Sequence, residues 1–254
     1  MVSNKSQILN VSIDNVTMQY LLEHLKEGAV VTPNIDHLIQ LQRNKAFYDA
    51  YKGSEWVVCD SRVLYFLSKF TKTPLCEAIP GVTFFREFFL YHKNDEDCKI
   101  FLLGAKEGVA KIAMKNINKM VNREIVVCEY SPKFGYEKDP DEIEKMIDIV
   151  NKSGANAVLV GVGAPKQELF IYQYRNRMPH VKIWMALGAT IDYEAGMLKR
   201  APKLAQKLGL EWLCRMAQDP GRLVPRVCRD LSFFPLFFKQ IIGKYQDPFA
   251  SCDN

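Results

Sequence analysis

The sequence predicts an α/β protein: a mostly parallel sheet with helices on both faces, followed by a basic, helical C-terminal segment. Three observations predict it. Short apolar runs alternate with helix-length amphipathic stretches from end to end. The apolar runs are uninterrupted and rich in Val, Ile and Leu, as strands covered on both faces must be. Most of them close on Thr, Asp or Gly, residues suited to the turn from a strand into a helix.

In chain order, residues 7–13 read as a strand, and Asp14 or Asn15 stands where a cap would open a helix reaching about Glu27. Residues 29–32 are a short buried strand, followed by one helix over 34–51. Residues 56–59 are the next strand, leading into a helix through Phe70. Pro74 and Pro80 mark a loop, and 84–91 reads as a helix. The second half alternates more cleanly. Strands are predicted over 99–103, 124–128, 157–160 and 182–187, and helices over 106–121, 140–152, 165–177 and from about 201 onward. Residues 1–198 are thus expected to form a Rossmann-like domain and 199–254 a helical appendage.

Composition narrows the class. The 254 residues are 48% apolar and 25% charged, near the globular average, which excludes a disordered, collagenous or coiled-coil chain. No apolar run approaches the ~18 residues of a membrane-spanning helix. Arg86 and Glu87 break one candidate, and Pro235 and Lys239 the other. The first ten residues lack an apolar h-region, so export is not expected. Seven scattered cysteines without a C-x-x-C pair predict reduced thiols, hence a cytoplasmic protein.

The net charge of +5 is uneven. Residues 199–244 hold ten Lys and Arg against Glu211, Asp219 and Asp230, a local +7. Asp219-Pro220-Gly221 marks a break that opens a new helix. On it Arg222, Arg226 and Arg229 share one face, with Leu223, Val227 and Leu231 adjacent, and Phe233-Phe234-Pro235-Leu236-Phe237-Phe238 follows. Arginines beside leucine and aromatic residues suit a membrane headgroup boundary better than nucleic acid. The alternative is that these aromatics pack into the core.

Parallel sheets bind ligands beyond the C-terminal ends of their strands. The residues expected there are Thr32-Pro33-Asn34, Cys59-Asp60-Ser61, Leu103-Gly104-Ala105, the stretch from Gly161 through Gly163 and Lys166-Gln167 to Glu168, and Leu187-Gly188-Ala189-Thr190. Glycine at a strand–helix junction lets the backbone approach a phosphate. Two such turns, at Gly104 and at Gly161 with Gly163, fit a mononucleotide or nucleotide sugar better than a dinucleotide, since neither completes G-x-G-x-x-G. Asp60 suits a general base, but it equally suits an N-cap for the helix that follows, and Asn34 has the same two readings. His37 reads as a packed or solvated side chain rather than a catalyst. The D-x-D matches at Asp95 and at Asp139 read as loops, so no metal is expected.

Five ordered blocks carry a resemblance. They are Thr32-Pro33-Asn34; Asp60 at a strand end; Leu103-Gly104-Ala105-Lys106-Glu107-Gly108; Val160-Gly161-Val162-Gly163-Ala164-Pro165-Lys166-Gln167-Glu168; and Gly188-Ala189-Thr190-Ile191-Asp192-Tyr193-Glu194-Ala195-Gly196, running on through Lys199-Arg200-Ala201-Pro202 to Gly209-Leu210-Glu211-Trp212-Leu213-Cys214-Arg215. Over residues 8–229 the chain resembles the bacterial WecG/TagA/CpsF glycosyltransferases. The resemblance implies a metal-independent, inverting transfer of a hexosyl unit from a UDP-sugar. It implies an acceptor sugar on a polyprenyl diphosphate at the cytoplasmic membrane face, with no cofactor and no nucleic acid.

By the same resemblance Asp60 is the catalytic base, with Thr32 beside it and Asn34 orienting substrate. Gly104, Gly163, Lys166, Gln167 and Asp192 bind substrate, and Arg215, Arg222 and Arg226 meet the membrane and acceptor. Two departures bear on the donor. Where the family has P-D-G, this chain has Cys59-Asp60-Ser61-Arg62, and its Ala78-Ile79-Pro80-Gly81-Val82-Thr83 lacks the arginine and aspartate of R-V-x-G-[ST]-D. Arg62 is a candidate substitute, and the donor sugar stays open between N-acetylmannosamine, glucose and a uronic acid. A homo-oligomer is also left open. The rival readings are a nucleotide-dependent oxidoreductase and a non-catalytic membrane-associated scaffold.

Overall fold

The computed structural model describes residues 5–250, apart from the side chains of Gln218 and Arg222. The chain runs β1 (Lys5–Ile8), β2 (Val11–Asp14), α1 (Met18–His24), β3 (Gly28–Val31), α2 (Ile35–Gln40), α3 (Lys45–Lys52), β4 (Trp56–Val57) and α4 (Arg62–Ser68). It continues through α5 (Gly81–Tyr91), β5 (Ile100–Gly104), α6 (Val109–Val121), β6 (Val126–Tyr130), α7 (Pro140–Ser153), β7 (Ala157–Gly161), α8 (Lys166–Tyr174), β8 (Ile183–Ala186) and α9 (Thr190–Glu194). Four helices close it: α10 (Lys203–Lys207), α11 (Glu211–Gln218), α12 (Pro220–Asp230) and α13 (Phe233–Ile241). The chain divides into two compact units. One gathers the residues up to Tyr20, Thr32–Pro80 and those from Arg200 on; the other holds Leu21–Val31 and Gly81–Lys199.

In the first unit the strand predicted over 7–13 is an antiparallel hairpin, with Ile8 opposite Val11. The chain reverses at Leu9, whose φ of 53° is left-handed. Leucine is not a turn-forming residue, so the sequence does not place the reversal there. The expected caps are employed elsewhere: Asp14 accepts from the Val57 amide at 2.8 Å and Asn15 from the Cys76 amide at 2.7 Å. Instead the Thr17 hydroxyl accepts from the Tyr20 amide at 3.1 Å, and Glu77 from the Met18 amide at 2.8 Å. The single helix expected over 34–51 is two, because Asn44 leaves the helix and caps α3 through the Phe47 amide at 3.0 Å.

The larger sheet has six strands, and the five in the second unit lie in the order β3-β8-β7-β5-β6, all parallel. The chain steps from β5 out to β6, then back across to β7 and on to β8. Right-handed crossovers place helices on opposite faces when the stepping direction reverses, so α6 covers one face and α7 and α8 the other. All residues of β5 and β7 are buried accordingly. The reversal leaves a topological switch point between β5 and β7, where open α/β sheets form their crevice.

Candidate functional site

At that switch point two glycines end adjacent strands in register, Gly104 opposite Gly161. A β-carbon on Gly104 would lie 2.5 Å from the Gly161 carbonyl oxygen, and one on Gly161 would lie 2.8 Å from the Gly188 carbonyl oxygen. Three strand ends therefore close up to a spacing that no side chain permits. Gly104 also needs its φ of 136°, which only glycine adopts without strain. The Ala105 amide donates to the Gly161 carbonyl at 3.2 Å, so β5 turns directly over the end of β7. By contrast, a β-carbon on Gly163 would meet nothing, so that turn, with φ of 86°, stands open.

Gln167 fastens this edge from below. Its buried Oε1 accepts from the Gly163 amide at 3.2 Å and the Gly188 amide at 3.0 Å, tying the loops after β7 and β8 together. Its Nε2 donates to Glu168 Oε1 at 2.9 Å. Glu168 is itself buried, and its Oε2 has no hydrogen-bond partner. Burial pushes the carboxyl up to about 7, so it holds a proton well above the ordinary range for glutamate. Lys166 pairs with Glu137 at 2.6 Å and lies 5.2 Å above the Phe134 ring, while Asp192 is half-buried on α9.

The first unit holds the other expected residues. Asp60 follows the buried run Val57-Val58-Cys59 and is half-buried, its amide donating to the Pro33 carbonyl at 3.3 Å. The capping alternative for Asp60 is answered by its neighbour: Ser61 is the N-cap of α4, its hydroxyl accepting from the Leu64 amide at 3.3 Å. Burial and the adjacent Asp60 carboxylate push the Cys59 thiol up to about 12, so it is no nucleophile. Thr32 is buried. Asn34 does cap α2, accepting from the His37 amide at 3.1 Å, and it also accepts from Arg226 at 3.4 Å.

Arg226 is held inside the unit. It lies 3.2 Å from Asp36, which Arg229 bonds at 2.7 Å and Gln40 at 2.8 Å. Burial opposes ionisation of Asp36, yet the two arginines outweigh it and hold the carboxyl below its usual range. This clamp fixes α12 on α2. Its acidic half escaped sequence reading, since Asp36 looks there like an ordinary first-turn acid. Burial and Arg226 lower His37 to about 4, and its Nδ1 meets the Tyr51 hydroxyl at 2.7 Å, so it is a packed neutral ring. Arg215 is half-buried on α11, and Arg222 falls on α12 with its side chain outside the described residues.

Among the described residues no group of three His, Cys, Asp or Glu side chains converges as a metal site. Of the D-x-D candidates, Asp139 caps α7 and Asp95 pairs with His92 at 2.8 Å. No helix among the described residues is long and apolar enough to cross a membrane. The C-terminal helices and the turns between them do expose large apolar side chains, including Leu204, Leu208, Leu213, Leu231 and Phe238. Beside them an open apolar groove of about 370 Å³ is lined by Phe70, Phe234, Phe237, Phe238 and Ile241. A family model described as the glycosyl transferase WecG/TagA/CpsF family matches residues 6–247.

Proposed function

The chain belongs to the glycosyl transferase WecG/TagA/CpsF family, and on that footing we propose that it moves a hexosyl unit from a UDP-sugar to a sugar carried on a polyprenyl diphosphate, with inversion. The family makes it a glycosyltransferase; the observation that carries the donor class is the glycine edge of the second unit. There Gly104 and Gly161 bring backbone against backbone and Gly163 stands open beside the first turn of α8. Helix N-termini that open at such an edge stabilise a diphosphate without a metal. Arg62 and Arg215 are the remaining candidates for contacts to donor and acceptor phosphates.

In the reaction we propose, the acceptor hydroxyl oxygen attacks the anomeric carbon from the face opposite the leaving group. Asp60 takes the hydroxyl proton. The bond from the anomeric carbon to the diphosphate oxygen breaks, and its electron pair leaves on UDP. Thr32 and Asn34 orient the acceptor beside Asp60. The apolar side chains of α10–α13, with the basic residues among them, rest on an anionic membrane surface on the cytoplasmic side, where a lipid-linked acceptor resides. Arg226 serves this surface indirectly, by fixing α12 through Asp36.

The test is UDP release across a panel of UDP-hexoses, with a GlcNAc-diphospho-lipid acceptor and EDTA throughout. Turnover with one donor is expected. Absence of UDP binding would overturn the reading, whereas UDP binding without turnover would point to a different acceptor sugar.

A further inference from the structure

Phe134 is the most exposed large apolar residue among the described residues, at 102%. It stands on the loop between β6 and α7. This loop is fastened at both ends. Where β6 finishes, the Ser131 hydroxyl bonds the Gly104 carbonyl at 3.0 Å and the Lys106 carbonyl at 3.2 Å. At the far end the buried Tyr136 donates its hydroxyl to the Lys166 carbonyl at 3.3 Å. The loop is thereby pinned to the turn after β5 and to the turn after β7, the two that flank the switch point. In between, the Lys133 amide donates to Glu142 at 3.1 Å and Gly135 takes a left-handed φ of 83°.

We infer that Phe134 is the stacking platform for the nucleobase of the donor. The Lys166 ammonium lies 5.2 Å from the ring centroid, over one face, and Glu137 holds it there. The opposite face is left for a flat partner. A ring fixed beside turns of the kind that cradle phosphates meets the base of a nucleoside diphosphate whose phosphates lie on those turns. Stacking of this kind is tolerant of base identity, because every base offers a π-face. The inference deepens the nucleotide reading of this edge and rests on it.

Calorimetric titration with UDP tests it. Phe134→Ala should bind UDP about tenfold more weakly, Phe134→Tyr should match the parent protein, and both should keep its melting temperature. In Phe134→Trp, UDP should quench the new indole fluorescence. Unchanged affinity in Phe134→Ala would overturn the platform, and so would equal losses in the Ala and Tyr variants, which would mark a loop distortion. If the parent protein itself fails to bind UDP, the nucleotide reading of the edge falls, a result distinct from either of these.

Discussion

Glu168 shows how one side chain joins folding to the site. A carboxyl pushed up to about 7 by burial binds a proton that the unfolded chain has already released above about 4.5. Stability from this group is therefore fully present below the unfolded value and is lost as pH rises through 7. Glu168→Gln keeps an acceptor for Gln167 and cannot ionise. Relative to the parent protein it should gain stability between pH 5 and pH 8 in denaturant titrations; an equal difference at both would refute a buried acid. Nothing in the sequence distinguishes Glu168 from a surface glutamate, because helical spacing does not reveal that the first turn of α8 is buried. Asp60 was legible as a strand-end carboxylate, but Asp-Ser offers two capping residues in a row. Only the Ser61 bond to Leu64 shows which one caps α4.

At the scale of elements, two devices carry the account. The first is the Gln167 strut between the loops after β7 and β8. Gln167→Ala strips an acceptor from the Gly163 and Gly188 amides and should cost about 1–3 kcal/mol. It should weaken UDP binding as well, a pairing that calorimetry and thermal unfolding read together. The second is the clamp of Arg226 and Arg229 on Asp36. Asp36→Ala leaves both arginines without their carboxylate and should loosen α12, seen as faster proteolysis after residue 219. Unaltered cleavage would show that apolar packing alone holds the helix. The strands β5–β8 and the helices α6–α8 lie close to where they were expected because their apolar periods are long, while the short helix α9 was not expected. The hairpin at Leu9 and the break before Asn44 were missed, since neither carries the glycine or proline that marks a turn most plainly.

Over the whole chain, the basic final fifth was readable from charge alone, and the structure adds exposed Leu and Phe side chains on the same helices. If that surface meets anionic lipid, Phe238→Asp should lower partitioning onto vesicles containing phosphatidylglycerol, and added salt should lower it further. Equal partitioning of variant and parent would remove α13 from the docking surface. Glycosyl transfer was legible because five short blocks sit at strand ends or in the C-terminal helices. The donor sugar was not, because the two blocks that depart from the family pattern, around Asp60 and over 78–83, are among those expected to differ with substrate. The most direct measurement is UDP release by Asp60→Asn beside the parent protein, at saturating donor and acceptor. The account predicts a loss of ~10²–10⁴ in turnover with unchanged thermal unfolding. Near-normal turnover would contradict Asp60 as the base, and with it the mechanism.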